Sequence, residues 1–179
     1  GVAIALEKRI PVAAGLGGFP LLVATYFLEV LVDNTTSLLL VQVANGDKTV
    51  EEAEHDLVNL CRVPPGLIGK HSSDAPDPVL MAAIANDMTK EVLIFKQSAG
   101  TGFDAPRAFT LVSMRGAKDT DFGIQVVGRI LRVHSRLQGP TLEKKLPELL
   151  RCGYVFLADA ANQSGLMHAG EKINAIQSE

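Results

Sequence analysis

The sequence predicts an α/β fold, a mainly parallel sheet with helices on both faces, on three observations. Short apolar, β-rich runs alternate along the chain with longer segments of helical periodicity, the order expected of successive β-α units. The 179 residues are 47% apolar and 21% charged, which suits one domain with a sizeable buried core. The chain has neither internal repeats nor low-complexity linkers.

Taken in order, residues 1–18 read as a strand and a glycine loop leading into a first helix. Phe19, Leu22, Val23, Tyr26, Phe27 and Val30 recur at steps of three and four, with Pro20 near the start, and predict that helix. Residues 1–36 are therefore a lead-in segment and residues 37–179 the main domain. Leu38 to Val43 is a buried strand. Thr49 is placed to cap a helix running to Arg62, with Glu52 as its capping-box partner, and Pro64-Pro65-Gly66 ends it. Leu67 to Lys70 is a short strand, and Asp77 with Pro78 opens a helix through Asp87. Strands follow at Glu91 to Phe95 and Ala108 to Met114. Thr120 or Asp121 caps the next helix, Gly139-Pro140 breaks the chain, and a helix over Thr141 to Arg151 precedes a strand at Tyr154 to Ala158.

Two motifs carry chemistry. The first, Gly100-Thr101-Gly102-Phe103-Asp104-Ala105-Pro106, lies at the carboxyl end of a predicted strand, where ligands collect in such sheets. Gly100 and Gly102 remove side chains where a nucleic-acid phosphate would approach, Thr101 offers a hydroxyl, and bare backbone N–H groups form an anion-binding concavity. The second, Gln125-Val126-Val127-Gly128-Arg129-Ile130-Leu131-Arg132, reads Q-x-x-G-R-x-x-R. On a helix Gln125, Arg129 and Arg132 share one face. Guanidinium forks pair with phosphate oxygens at two points, so this face suits charge developing on a transferring phosphoryl group. Gly128 lets another backbone come close.

T-G-F-D-A-P resembles motif V, and Q-x-x-G-R-x-x-R motif VI, of the second RecA-like domain of superfamily 2 DEAD/DEAH helicases and translocases, with the ATPase subunits of type III-like restriction systems the nearest match. The likeness runs in order from about Ser37 to Ile176: Leu38 to Asn45 resembles the motif IV strand, His71-Ser72-Ser73-Asp74 the segment after it, and Tyr154 to Asp159 a later strand. The resemblance implies a three-layer RecA-like sandwich holding ATP and Mg2+ between two such domains, with this one contributing Arg129 and Arg132 as arginine fingers and Gln125 as a contact to the γ-phosphate or attacking water. Gly102 and Asp104 would sense the nucleotide, Asp104 orienting partners between the sites, while Gly100, Thr101 and Gly102 would touch the DNA or RNA backbone. As interface groups, the arginines would be solvent-exposed in the isolated domain. The chain has no Walker A and no DExx motif, so it is expected to be an excised half that turns over no ATP, binds no nucleotide tightly, and partners the N-terminal RecA-like domain of the same protein. A non-catalytic nucleic-acid-binding or interaction module with a helicase-like fold is the alternative. A remote third rests on Leu6 to Gly18, which resembles the phosphate loop of GHMP small-molecule kinases but continues as Phe-Pro-Leu-Leu where that family has serines and small residues.

The remaining features point away from other chemistry. Net charge is −3, yet Arg107 to Arg136 carries six basic residues (Arg107, Arg115, Lys118, Arg129, Arg132, Arg136) against Asp119 and Asp121, a basic side that coincides with the motifs. Gly66 to Ser72 has the wrong spacing for a phosphate loop. His71 and Asp74 lack a companion nucleophile, so His71 is read as a satisfied loop histidine; His55 is solvent-facing, and His134 lies at a helix end. Cys61 and Cys152 make no metal cluster with the histidines and read as free buried thiols in a reducing compartment. The longest apolar run, Phe19 to Val32, is short for a membrane span and contains Glu29. A cytoplasmic protein is expected.

Overall fold

The computed structural model describes residues 3–5, 37–96, 102–114, 120–130 and 152–157, with isolated helical positions at 168–169, 171–172 and 175. The predicted helices over 19–32 and 141–151 lie outside these residues, as do the Leu6 to Gly18 loop and His134. The described strands form one parallel sheet: β1 (Ala3–Ala5), β2 (Leu38–Val43), β3 (Ile68–His71), β4 (Val92–Lys96), β5 (Ala108–Ser113) and β6 (Cys152–Leu157). Their order across the sheet is β1-β6-β5-β2-β4-β3, and every pairing is parallel. The lead-in thus adds an edge strand to the main sheet, Ala3 pairing with Cys152.

Among the described residues three helices cover the sheet: α1 (Thr49–Asn59), α2 (Pro78–Asn86) and α3 (Thr120–Ile130). Val50, Ala53 and Leu57 of α1 pack with Leu39, Val41, Val43, Ile68, Val92, Ile94 and Val112. Met81 and Ala85 of α2 and Val127 and Ile130 of α3 pack with the alternate set, including Leu38, Leu40, Leu93, Phe95 and Leu111. Successive strand side chains point to opposite faces, so these are two layers on either side of the sheet. The division follows from handedness. The crossover through α1 runs along the sheet one way, from β2 to β3; those containing α2 and α3 run the other way, so right-handed connections must put them on the opposite face. The predicted α/β class, with helices on both faces, is the observed one.

Local chemistry fixes most boundaries. Asp77 caps α2 by accepting from the Leu80 N–H at 2.9 Å, and Pro78 occupies the first turn. At α1 the expected capping box does not form. Lys48, in a left-handed conformation at φ 67°, is the cap residue, and Thr49 is the first residue of the helix. The Thr49 hydroxyl donates to the Ala44 carbonyl at 2.8 Å, closing the preceding loop rather than capping the helix. The helix stops at Asn59, short of Arg62, whose own left-handed φ of 62° reverses the chain so that the Val63 N–H donates to the Leu57 carbonyl. The short strand lies one residue later than expected, because Pro65–Leu67 is a turn of 3-10 helix, and this brings His71 into β3.

Candidate functional site

Of the crossovers with a described helix, the one after β2 goes to the α1 face and those after β3 and β5 go to the opposite face, so a topological switch lies at β2, and the crevice outside its carboxyl end is where ligands bind in open α/β sheets. The glycine loop joins this edge. It follows β4, which pairs with β2, and returns to β5, which pairs with β2 on the other side.

Gly102 has φ 87°, a conformation L side chains rarely adopt, and a Cβ built there would stand 3.2 Å from Cγ of Pro78 at the start of α2. Gly102 and Asp104 are exposed while Phe103 between them is buried. Phe103 sits edge-on to Phe95 of β4, with ring centroids 5.8 Å apart and planes at 73°, a favoured aromatic geometry. Gly100 and Thr101 lie outside the described residues.

From α3, Arg129 reaches the same residue. Its guanidinium lies 4.2 Å from the centroid of the Phe103 ring, and Nη1 donates to the Phe103 carbonyl. Arg129 is 5% exposed. The expectation of a solvent-facing arginine therefore fails at this position, because α3 turns Val127, Arg129 and Ile130 inward together. Gln125, one turn earlier, is exposed, and a Cβ added at Gly128 would meet nothing within 4 Å, so the outer side of the helix is open there. Arg132 lies outside the described residues.

The basic side is thinner than its composition implied. Arg107 is 2% exposed: Nε and Nη2 donate to the Ala85 carbonyl at 3.2 and 3.0 Å, and Nη2 also reaches the carbonyls of Asp87 at 2.9 Å and Lys90 at 3.2 Å. It closes the carboxyl end of α2, whose last turn holds no basic residue of its own. Burial pulls this guanidinium down from its ordinary value, opposed by the Asp87 and Glu91 carboxylates. Arg115, Lys118 and Arg136 lie outside the described residues.

A row of buried polar side chains, which sequence reasoning did not single out, crosses the carboxyl edge. Ser113, Gln42, Phe95 and His71 are in register on four neighbouring strands. The Ser113 hydroxyl donates to Oε1 of Gln42 at 3.1 Å, while Nε2 of Gln42 and Nδ1 of His71 have no hydrogen-bond partner among the described residues. His71 is thus a buried strand residue, not a satisfied loop histidine. Asp74 pairs with Lys96 at 3.3 Å, not with His71 in a catalytic couple. The signal for the row was Gln42 itself, an amide inside an otherwise apolar strand.

His55 is exposed, with Asp56 at 3.6 Å, as expected. Cys61 is a free thiol pushed up by burial and by the Asp56 carboxylate. Among the described residues no group of three or more His, Cys, Asp or Glu could hold a metal ion, and no helix is long and apolar enough to cross a membrane. The Phe103 ring covers the Arg129 guanidinium, whereas Gln125 is exposed. No protein-family model matches the chain, and no curated protein matches it.

Proposed function

We propose that this chain is the second RecA-like half of an ATP-dependent superfamily 2 helicase or translocase, of the type III-like restriction ATPase kind. The observation that supports this reading is the contact between Arg129 and Phe103, which makes one packed unit of the glycine loop and the Q-x-x-G-R-x-x-R helix at the carboxyl edge of a parallel sheet. In this reading the exposed Gly102 turn, with Gly100 and Thr101, contacts the backbone of DNA or RNA, and Asp104 relays between polymer and nucleotide. Gln125 and Arg132 face the γ-phosphate of ATP. Arg129 reaches that phosphate only if Phe103 yields. The Walker A lysine and the acids that hold Mg2+ belong to the facing N-terminal RecA-like domain.

The chain alone then hydrolyses no ATP, and robust turnover by the pure protein would overturn the half-site reading. In the complete two-domain enzyme, Arg132→Ala should lower turnover by about a thousandfold at unchanged melting temperature, the scale of an arginine finger. One observation favours the alternative of a non-catalytic nucleic-acid-binding module: Arg129 is committed to an internal contact. Near-normal turnover in Arg132→Ala, or salt-sensitive polynucleotide binding by a complete protein that never hydrolyses ATP, would favour that module.

A further inference from the structure

The turn carrying Gly102 and Asp104 is held from three elements. Pro78 of α2 closes on Gly102, Phe95 of β4 supports the ring of Phe103, and Arg129 of α3 covers that ring and binds the Phe103 carbonyl. Two of these are apolar supports: Phe95 is fully buried in the core, and Pro78, itself exposed, begins a helix capped by Asp77. The third is polar and directional. Its two contacts with one residue, through the ring and through the backbone, make the turn follow α3. Gln125, on the same helix one turn earlier, is exposed to whatever lies outside, as are Gly102 and Asp104.

We infer that Arg129 is a positioning residue that sets the exposed Gly102 to Asp104 turn through Phe103, so that a ligand engaging α3 near Gln125 and a ligand engaging the turn bias one another. A group that moves α3 carries the Arg129 fork with it, and the Phe103 carbonyl must follow or lose a charge-assisted hydrogen bond. Coupling of this kind is reciprocal, since whatever fixes the turn also fixes the guanidinium and hence the helix. The inference concerns the turn and the helix themselves; only its link to a polynucleotide rests on the function proposed above.

Backbone NMR order parameters for residues 102–104 test it in the full chain. In the unaltered protein they should lie near about 0.85, the range of rigid backbone, and in Arg129→Met they should fall below about 0.6 while those of β2 and β4 stay high. Arg129→Lys, which keeps the charge over the ring and one donor, should recover part of the order. Phe103→Leu should loosen the same residues, and the double variant Arg129→Met/Phe103→Leu should lose less order than the sum of the two single losses, because the ring–guanidinium contact is common to both while the carbonyl bond and the Phe95 contact are each removed by one. Unchanged order at 102–104 in Arg129→Met, or additive loosening in the double variant, would overturn the inference. Should Arg129→Met unfold, Arg129→Lys against Phe103→Leu decides by the same criterion. Fluorescence anisotropy with a labelled single-stranded oligonucleotide separates the two proposals. About tenfold weaker binding by Arg129→Met, partly restored in Arg129→Lys, links the turn to the polymer; no binding by the unaltered protein removes the nucleic-acid reading and leaves the order parameters to judge Arg129.

Discussion

The two faces of the sheet are packed by different means. On the α1 face, Leu39, Val41, Val43, Val92 and Ile94 meet Val50, Ala53 and Leu57, with Leu57 fully buried. Packing there is mainly a matter of apolar volume, with Thr110 and Lys96, in register with Leu39 and Val43, as its buried polar members. On the α2 and α3 face, the apolar cluster around Leu38, Leu40, Leu93 and Phe95 is interrupted by two buried guanidiniums, Arg107 and Arg129, and by Gln42 and His71 at its carboxyl edge. Buried polar groups are costly unless bonded, so this second face is stable only where its donors find carbonyls. The difference separates a mostly apolar face from one whose geometry is also specified by buried guanidinium–carbonyl contacts. The loop and helix with the motif residues lie on the latter.

Substitutions on the two faces should therefore fail differently. The largest effect is expected for Arg107→Ala, which strips donors from the carbonyls of Ala85, Asp87 and Lys90 and leaves a cavity. A loss of about 4 kcal/mol in urea unfolding is expected, against about 3 kcal/mol for Leu57→Ala on the apolar face. Arg107→Met should recover little, since refilling the volume returns no donors; a full recovery would mean that this face too is held by volume alone. Next comes Gly69→Ala in β3, whose new Cβ would meet Cγ2 of Ile84 in α2 at 2.2 Å. Overpacking there should cost about 2 kcal/mol. Adding Ile84→Ala should cost less than the sum of the two single changes, and strict additivity would show that α2 had moved instead.

His71→Leu has the opposite sign. Removing a buried imidazole whose Nδ1 has no partner among the described residues should raise stability by about 1 kcal/mol, read as a higher urea midpoint at constant slope. A loss would reveal that the imidazole holds a contact of its own. The smallest effect concerns pH. The Asp87 carboxyl accepts from the Thr89 hydroxyl at 2.7 Å and the Thr89 N–H at 2.9 Å, which hold it below its ordinary value. A carboxyl with a depressed folded-state value contributes stability above its unfolded value, near about 3.9, and loses it as pH falls through the folded one. Asp87→Asn should therefore lower stability slightly at neutral pH, leave it unchanged below the folded-state value, and so flatten the acid limb.

Much of this fold was legible because it is written locally. The strand at Leu38 to Val43 is an apolar run between turn-forming residues, and Asp77-Pro78 carries both a cap and a first-turn proline, so both matched the structure. Long-range events were not legible. Nothing near Arg107 in sequence shows that it closes a helix ending at Asn86; the one signal was that this helix lacks a basic residue and a glycine at its own carboxyl end. Helical spacing put Gln125 and Arg129 on one side of α3 but left open which part of that side turns inward, and Val127 and Ile130 decide it. At Thr49 the competing partner was a carbonyl of the preceding loop, which no capping pattern records.

The position of β2 also has a consequence in time. It is flanked by β4 and β5, and among the described strands β3 pairs with β4 alone. As the chain leaves the ribosome at about 5–20 residues per second, Leu38 to Val43 waits roughly 3–10 s before its first neighbour is complete. During that interval Leu38-Leu39-Leu40-Val41, which ends up almost wholly dry, has two bare edges and strong β-propensity, the composition that pairs with other chains. Slowing synthesis between residues 44 and 92 should raise the insoluble fraction, and a holdase chaperone supplied over that window should restore it.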